Sequence, residues 1–457
     1  MNKIKIDLER ILSDIDRNIF GGTIELGDSD SRYPYLDVGE SKNAEKSKLR
    51  KDVREAIERM KLSNIRFPGG NFASGYHWMD GVGPRQERPS RYDLAFRCIV
   101  ENQYGTNEFI RLCHAFNIKP YLTVNCGDGD CREAADWVEY CNGTKETDLV
   151  KLRRKHGFGE PHKVKYWGIG NEVDNPGQIG YKTPQEYARA CTEFSKVLKR
   201  VDSNIKLVAS GVSSWEDSPL GAKYLYKKTE WVERTQLMLE QAGDRIDYIS
   251  IHRYTYPHDN VTFENYMAFA ADLNERLDSY EGLINAVSLE RGIDHPIGIA
   301  VDEWFAMRVP HDIHCDSLIK IANDKRGAMY LTDGQSEFAP QRNWFKLNLE
   351  ASLATALYLN TFIRHSYSVR IANFCGPMAM SMGLKTSDYP VLLPTIFYPF
   401  ELYSRTCGQL ALDVFWEGDT FSGSQVEVRQ SQLSASGSSF IDIFEPHSVT
   451  ALVCSVN

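Results

Sequence analysis

Eight short runs of β-forming residues, each followed by a stretch with helical periodicity, limit what this chain can fold into. They are 15–26, Asn64–Pro68, Lys119–Asn125, Val164–Gly170, Ile205–Ser210, Ile246–His252, Pro296–Asp302 and Ser368–Phe374. Runs that stay apolar on both faces suit parallel strands covered by helices. Helices are expected over 45–61, 105–116, 183–201, 224–242, 265–281 and 349–365. Thr183-Pro184-Gln185-Glu186 is a start signal, with Thr as cap, Pro at the first helical position and Glu in the first turn. Eight such units over about residues 10–400 predict a (β/α)8 barrel, with an open doubly wound sheet as the competing architecture.

The ends read differently. Lys3–Leu8 is strand-like, and so is the stretch after Leu410, where Ser- and Gly-rich turns separate runs 425–429, 440–444 and 449–453. The expected organisation is an N-terminal strand (1–10) joining a small β-domain, a catalytic barrel (11–405) and a shortened C-terminal β-domain (406–457). A length of 457 residues accommodates this. The charged segment 312–343 is expected to be a loop over the barrel mouth, with an ordinary mobile connection as the alternative.

Charge narrows the partners. The balance of 53 basic against 62 acidic residues gives −9, with no long Lys/Arg run, a poor match to nucleic acid or an anionic membrane. No run of about 18 apolar residues reads as a spanning helix. The first twenty residues carry charges throughout and do not read as a secretory signal. Ten cysteines without a CxxC pair read as reduced thiols, and the expectation is a cytoplasmic protein.

In a barrel, chemistry sits where strands end and βα loops begin. Those positions hold Glu25, Arg66, Asn71, Asn125, Asn171, Glu172, His252, Tyr254, Asp302, Glu303 and Trp304. A single Glu after an apolar run is ordinarily a solvated loop residue. Two, Glu172 and Glu303, closing different strands supply what glycoside cleavage needs: a protonated acid beside the leaving oxygen and an ionised nucleophile or base. Gly168-Ile169-Gly170-Asn171-Glu172 is not a dinucleotide loop, because Val173 stands where a third Gly is needed. His311, His314 and Cys315 lack a fourth ligand at fitting spacing, so no metal and no cofactor is expected. Trp78, Trp137 and Trp167 read as core, whereas Trp304, adjoining Glu303, is expected to stack on a sugar face.

At these residues the chain resembles glycoside hydrolase family 51, whose best-known members are α-L-arabinofuranosidases. The resemblance spans about residues 10–410 and includes Asn64-Ile65-Arg66-Phe67-Pro68-Gly69-Gly70-Asn71-Phe72, Gly170-Asn171-Glu172, Gln178-Ile179-Gly180-Tyr181-Lys182-Thr183, Ser250-Ile251-His252-Arg253-Tyr254 and Asp302-Glu303-Trp304. It implies a (β/α)8 barrel with a β-sandwich domain and retaining, exo-acting chemistry on a small oligosaccharide. It assigns Glu172 as general acid/base and Glu303 as nucleophile, with Glu25, Arg66, Asn71, Asn171 and Tyr254 holding the sugar or orienting the nucleophile. His252 supports them, and Arg66 keeps Glu303 ionised. It also implies a homo-oligomer, the family tending to hexamers, although the short C-terminal β-domain speaks against that assembly.

Some positions depart from the family pattern. Gly376 stands where a sugar-contacting Gln is usual, Gly177 where a Trp is frequent, Phe305 in place of an Asn, and Met307 in place of a Trp. These departures motivate a second reading, in which the same chemistry acts on another furanoside such as a galactofuranoside, or on a β-glycan. A third reading is a carbohydrate-binding protein without catalysis; the intact carboxylate pair argues against it.

Overall fold

The structure is a computed structural model that describes residues 3–26, 51–96, 98–213, 230–255, 261–306, 348–375 and 393–417. Strand β1 (Lys3–Asp14) leads to β2 (Gly21–Thr23), helix α1 (Lys51–Met60) and β3 (Asn64–Phe67). A short hairpin, β4 (Arg91–Asp93) and β5 (Cys98–Val100), precedes α2 (Thr106–Phe116) and β6 (Lys119–Val124). Then come α3 (Cys131–Asn142), α4 (Asp148–Lys155), β7 (Tyr166–Ile169), α5 (Pro184–Val201) and β8 (Lys206–Val212). The order continues with α6 (Glu230–Ala242), β9 (Tyr248–Thr255), α7 (Phe263–Arg291), β10 (Gly298–Ala306), α8 (Leu349–Arg364), β11 (Val369–Phe374), α9 (Phe397–Thr406) and β12 (Leu410–Glu417).

Strands β10, β11, β2, β3, β6, β7, β8 and β9 bond in that order and close on themselves. Every neighbouring pair is parallel. Closure decides for the (β/α)8 barrel over the open sheet. Outside it, β1 pairs antiparallel with β12, placing Lys3 opposite Glu417 and Asp14 opposite Leu410. Among the described residues no helix is long and apolar enough to cross a membrane. The expected strands 425–429, 440–444 and 449–453, the loop 312–343, and Met307, His311, His314, Cys315 and Gly376 lie outside the described residues.

Local chemistry explains the elements. Helix α5 starts as its sequence requires: Thr183 caps it, Glu186 bonds back to the Thr183 amide, and Pro184 occupies the first turn. Helix α7 runs to Arg291 rather than stopping near Glu281. Gly282 within it costs only about 1 kcal/mol, while Ile284 and Val287 remain on the buried face. The helix ends at Gly292, where φ is +65° and the backbone turns left-handed.

Strand alternation sorts the side chains. Low in the barrel interior, Tyr121, Tyr166, Val208, Ala300 and Ile371 form an apolar plug. The intervening residues Leu122, Trp167, Leu207, Val301 and Ala372 join the outer core under the helices. Trp78, Trp137 and Trp167 are all buried there, as expected.

Candidate active site

The polar ends of the strands converge above this plug. Arg66 (β3), His252 and Tyr254 (β9), and Asp302 and Glu303 (β10) come from the strands themselves, and Asn171 and Glu172 follow β7 directly. Strict alternation would send either Asp302 or Glu303 outward. The register shifts between Ala300 and Glu303, and again between Val301 and Trp304, so both carboxylates engage the same inward cluster. After β7, Gly170 at φ +78° and Glu172 at φ +43° fold the chain back over the mouth. A left-handed conformation at a non-glycine residue is strained and held by its surroundings. Here the Asn175 amide bonds the Glu172 carbonyl at 2.9 Å.

Glu303 accepts from Arg66 Nη1 at 2.6 Å and from Tyr254 Oη at 2.6 Å, one bond to each carboxylate oxygen. Arg66 also donates from Nη2 to Asn171 Oδ1 at 2.7 Å, and its Nε lies 3.3 Å from Asp302. Asn171 Nδ2 is buried and has no hydrogen-bond partner among the described residues, a donor available to a ligand. Glu172 pairs with His252 Nδ1 at 2.9 Å through Oε1 and accepts from Gln178 Nε2 at 3.0 Å through Oε2. Glu172 and Glu303 each place a carboxylate oxygen within 4.8 Å of the other. That gap suits a retaining double displacement, for which about 5–5.5 Å is usual, and leaves no room for a water between acid and base. Gly70 is required beside Glu303, since a Cβ there would collide with Glu303 Oε1. Glu25 accepts from the amides of Gly70 and Phe72 at 3.0 and 3.3 Å and so shapes the same loop.

Burial and charge set the protonation pattern. Burial would push Glu172 up, but the His252 hydrogen bond and charge, helped by the amides of Gln178 and Asn175, outweigh it and leave the carboxyl below its ordinary value. Burial would likewise lower His252. The charge of Glu303 and the hydrogen bonds to Asp302 and Glu172 instead hold the imidazole well above its ordinary value. Asp302 is brought down to about 2, because Arg66, His252 and Ser250 overcome its burial. Despite burial, Asp302 and Glu303 raise Arg66 further.

Glu172, His252 and Glu303 also have the spacing of a metal-ligand set. Here His252 Nδ1 is engaged by Glu172 Oε1.

The expected site residues Glu25, Arg66, Asn71, Asn171, Glu172, His252, Tyr254 and Glu303 share one connected constellation. Trp304 is the exception. It is 0% exposed, stacks on Phe374 at 4.5 Å and meets Phe362 edge-on at 5.2 Å. Next to an inward Glu303, the strand period turns it into the outer core, so it is not a sugar platform. Phe305 is also buried, against Phe374. Asn125 engages both amide ends in its own turn, with Asp128 and the Gly127 amide. The residues that sequence reasoning left without a role are Asp302, Gln178, Ser250, Tyr121 and Cys375. Asp302 accepts from Tyr121 Oη at 2.7 Å and from Ser250, and Cys375 Sγ lies 3.2 Å from Tyr254 Oη. Asp302 adjoins Glu303 in the chain, and that adjacency was its available signal; Gln178 and Ser250 carried none of that kind.

Comparison with known proteins agrees with this geometry. A family model described as the alpha-L-arabinofuranosidase 1 domain matches residues 56–270, and the corresponding C-terminal domain model matches 321–449. "Alpha-L-arabinofuranosidase C" of Emericella nidulans is 33% identical over 408 residues, covering 88% of this chain and 74% of that protein. The chain belongs to the α-L-arabinofuranosidases of glycoside hydrolase family 51. Within this family, "Intracellular exo-alpha-(1->5)-L-arabinofuranosidase 1" of Bacillus subtilis is 37% identical over 404 residues, covering 86% of this chain and 73% of that protein. A solved α-L-arabinofuranosidase from Thermotoga maritima, in complex with arabinose, superposes with a TM-score of 0.72 at 31% identity, covering 92% of this chain and 77% of that one. A family 44 xyloglucanase from Paenibacillus polymyxa, at 11% identity and a TM-score of 0.53, shares the fold alone.

Proposed function

We propose that this family 51 hydrolase is a retaining, exo-acting α-L-arabinofuranosidase that releases terminal arabinofuranose from oligosaccharides. The observation that carries this reading is the facing pair Glu172 and Glu303, one tied to His252 and Gln178, the other to Arg66 and Tyr254. Glu303 attacks the anomeric carbon while the glycosidic C–O bond breaks, and Glu172 delivers a proton to the departing oxygen. The delivered proton comes from His252 Nδ1, 2.9 Å from Glu172 Oε1. As Glu303 forms its ester bond it loses one of the charges that hold His252 protonated. The proton is thereby released toward Glu172 as the leaving group needs it. In the second step Glu172 takes a proton from water and returns it to His252 Nδ1, the water attacks the anomeric carbon, and Glu303 departs as carboxylate. Asn171 Nδ2, with no partner among the described residues, is a ready donor to a sugar hydroxyl.

The eight described cysteines are free thiols, and Bacillus subtilis and Acetivibrio thermocellus relatives are named intracellular. Both support a reducing, intracellular setting and short, imported substrates.

A panel of aryl glycosides tests the substrate. The arabinofuranoside is expected to be cleaved at least about tenfold faster than a β-D-galactofuranoside or β-D-xylopyranoside, a difference of about 1.4 kcal/mol. Equal rates would overturn the sugar assignment. Linear arabino-oligosaccharides should shorten one residue at a time; internal cleavage would overturn the exo assignment.

A further inference from the structure

Gln178 lies on the loop between β7 and α5, and two backbone contacts hold that loop still. Gly180, at φ +73°, packs so closely on Gly127 that a Cβ would collide with its backbone. Gly127 in turn lies against the carbonyls of Ser74 and Ile179. The Lys182 amide bonds the Val173 carbonyl at 2.7 Å, and Lys182 Nζ bonds the Cys126 carbonyl at 2.6 Å. The loops after β3, β6 and β7 therefore interlock, and the separations of Asn71, Glu172 and Gln178 are set by backbone rather than by side-chain choice.

From this fixed position the side-chain nitrogen of Gln178 serves two acceptors, Glu172 Oε2 at 3.0 Å and Asn71 Oδ1. The first bond settles the polarity of the second. A carboxylate only accepts, so the Gln178 atom facing it is the NH2 group, and the Asn71 atom on its other hydrogen is the carbonyl oxygen. Asn71 Nδ2 then makes no hydrogen bond to a described residue. Asn171 is polarised the same way from the other side, because Arg66 only donates and takes Oδ1. The two carboxylates thus orient two amides, Glu172 through Gln178 and Glu303 through Arg66, and among the described residues neither amide's donor end has a partner.

We propose that Gln178 is a positioning residue of this hydrolase, which couples the acid/base Glu172 to Asn71 and fixes the donor end of the Asn71 amide for the sugar. This rests on the assignment of Glu172 and Glu303 made above. The charged or titratable groups around Glu172 are His252 from β9, Asp302 and Glu303 from β10, Arg66 from β3 acting through Asn171, and Asp174 on its own loop.

The test uses 4-nitrophenyl α-L-arabinofuranoside with Gln178→Leu, the near-isosteric Gln178→Glu, Asn71→Ala and the double variant Gln178→Leu/Asn71→Ala. Gln178→Leu is expected to raise KM about tenfold, the scale of one misdirected hydrogen bond. It removes a donor that favours the carboxylate, so the basic limb of kcat/KM should move up by about one pH unit. Gln178→Glu adds a like charge and should move that limb further up. If the coupling is real, the double variant should be no worse than the worse single variant. A purely structural role would lower kcat at every pH, leave the limb in place and give additive effects; that result overturns the proposal. If Gln178→Leu fails to fold, Gln178→Glu and Gln178→Glu/Asn71→Ala decide, by whether KM rises in the single variant and the effect of Asn71→Ala fails to add to it. Glu303→Ala is measured alongside. If Glu303→Ala stays active, the active-site reading fails; if it is dead while the Gln178 variants match wild type, only the Gln178 inference fails.

Discussion

The two faces of β10 do opposite work within three residues. Asp302 and Glu303 face a charged interior, Trp304 an aromatic exterior of Phe362, Phe374 and Tyr358. All three are nearly inaccessible, so burial does not distinguish them. On the outer face burial is favourable, because large apolar rings leave water. On the inner face it opposes the charges and is offset by pairing: Arg66 meets both carboxylates, and His252 lies between Asp302 and Glu172. The lesson is that the fold is held from outside the strands, which frees the inside of the mouth to hold charges for chemistry.

The largest expected effect falls on the inner face. Glu303→Ala should lower turnover of an aryl arabinofuranoside by on the order of 10⁴-fold or more. Added azide should restore reaction and yield the inverted glycosyl azide. A variant that keeps its turnover would break the comparison at its root.

Asp302→Ala should affect both properties, because it leaves Arg66 and His252 short of a counter-charge. A loss of about 3–5 kcal/mol of stability is expected at neutral pH, together with a fall in activity. The pH dependence has a definite sign. Asp302 sits at about 2 in the folded chain, below its ordinary value of 3.8. Its contribution is therefore full above pH 4 and disappears as pH falls through 2. The stability gap between wild type and variant should narrow by about 2 kcal/mol over that window, read from denaturant titrations.

Trp304→Ala is the outer-face counterpart. Its cost should be about 3–5 kcal/mol of stability from the cavity left against Phe374, with KM for the sugar unchanged in the folded fraction. A raised KM at constant stability would restore Trp304 as a sugar contact and overturn the division of faces.

Much of this division was legible in the sequence. The barrel could be read because strands such as Lys119–Val124 and Tyr166–Ile169 are apolar on both faces, a signature local in the chain. The proposed catalytic pair could be picked out because Glu172 and Glu303 each terminate such a run. Trp304 was misplaced for the reason Asp302 was passed over: facing depends on a register shift in β10, which no local pattern of residues announces. Gln178 stayed silent because its role depends on a loop interlocked with two others, and proximity of that kind is a property of the closed barrel.

The smallest effect belongs to Tyr254→Phe, and it separates positioning from stability on the inner face. The hydroxyl donates to Glu303 Oε2 at 2.6 Å, and a hydrogen bond to a charged group is worth about 1.5–3 kcal/mol. Not all of that is lost at the transition state. Glu303 gives up its charge as it bonds the anomeric carbon, so the bond weakens along the reaction and its removal relieves part of the barrier. Its lasting contribution is to hold the carboxylate in line with the anomeric carbon. The expected net effect is a fall in kcat of about tenfold, close to 1.4 kcal/mol, with KM changed less. Cys375 Sγ, which loses the same hydroxyl partner, stays protonated because burial raises the thiol well above its ordinary value. The melting temperature should move by less than it does in Trp304→Ala. A Tyr254→Phe enzyme that loses as much stability as Trp304→Ala while keeping its kcat would show that the mouth of the barrel also carries the fold.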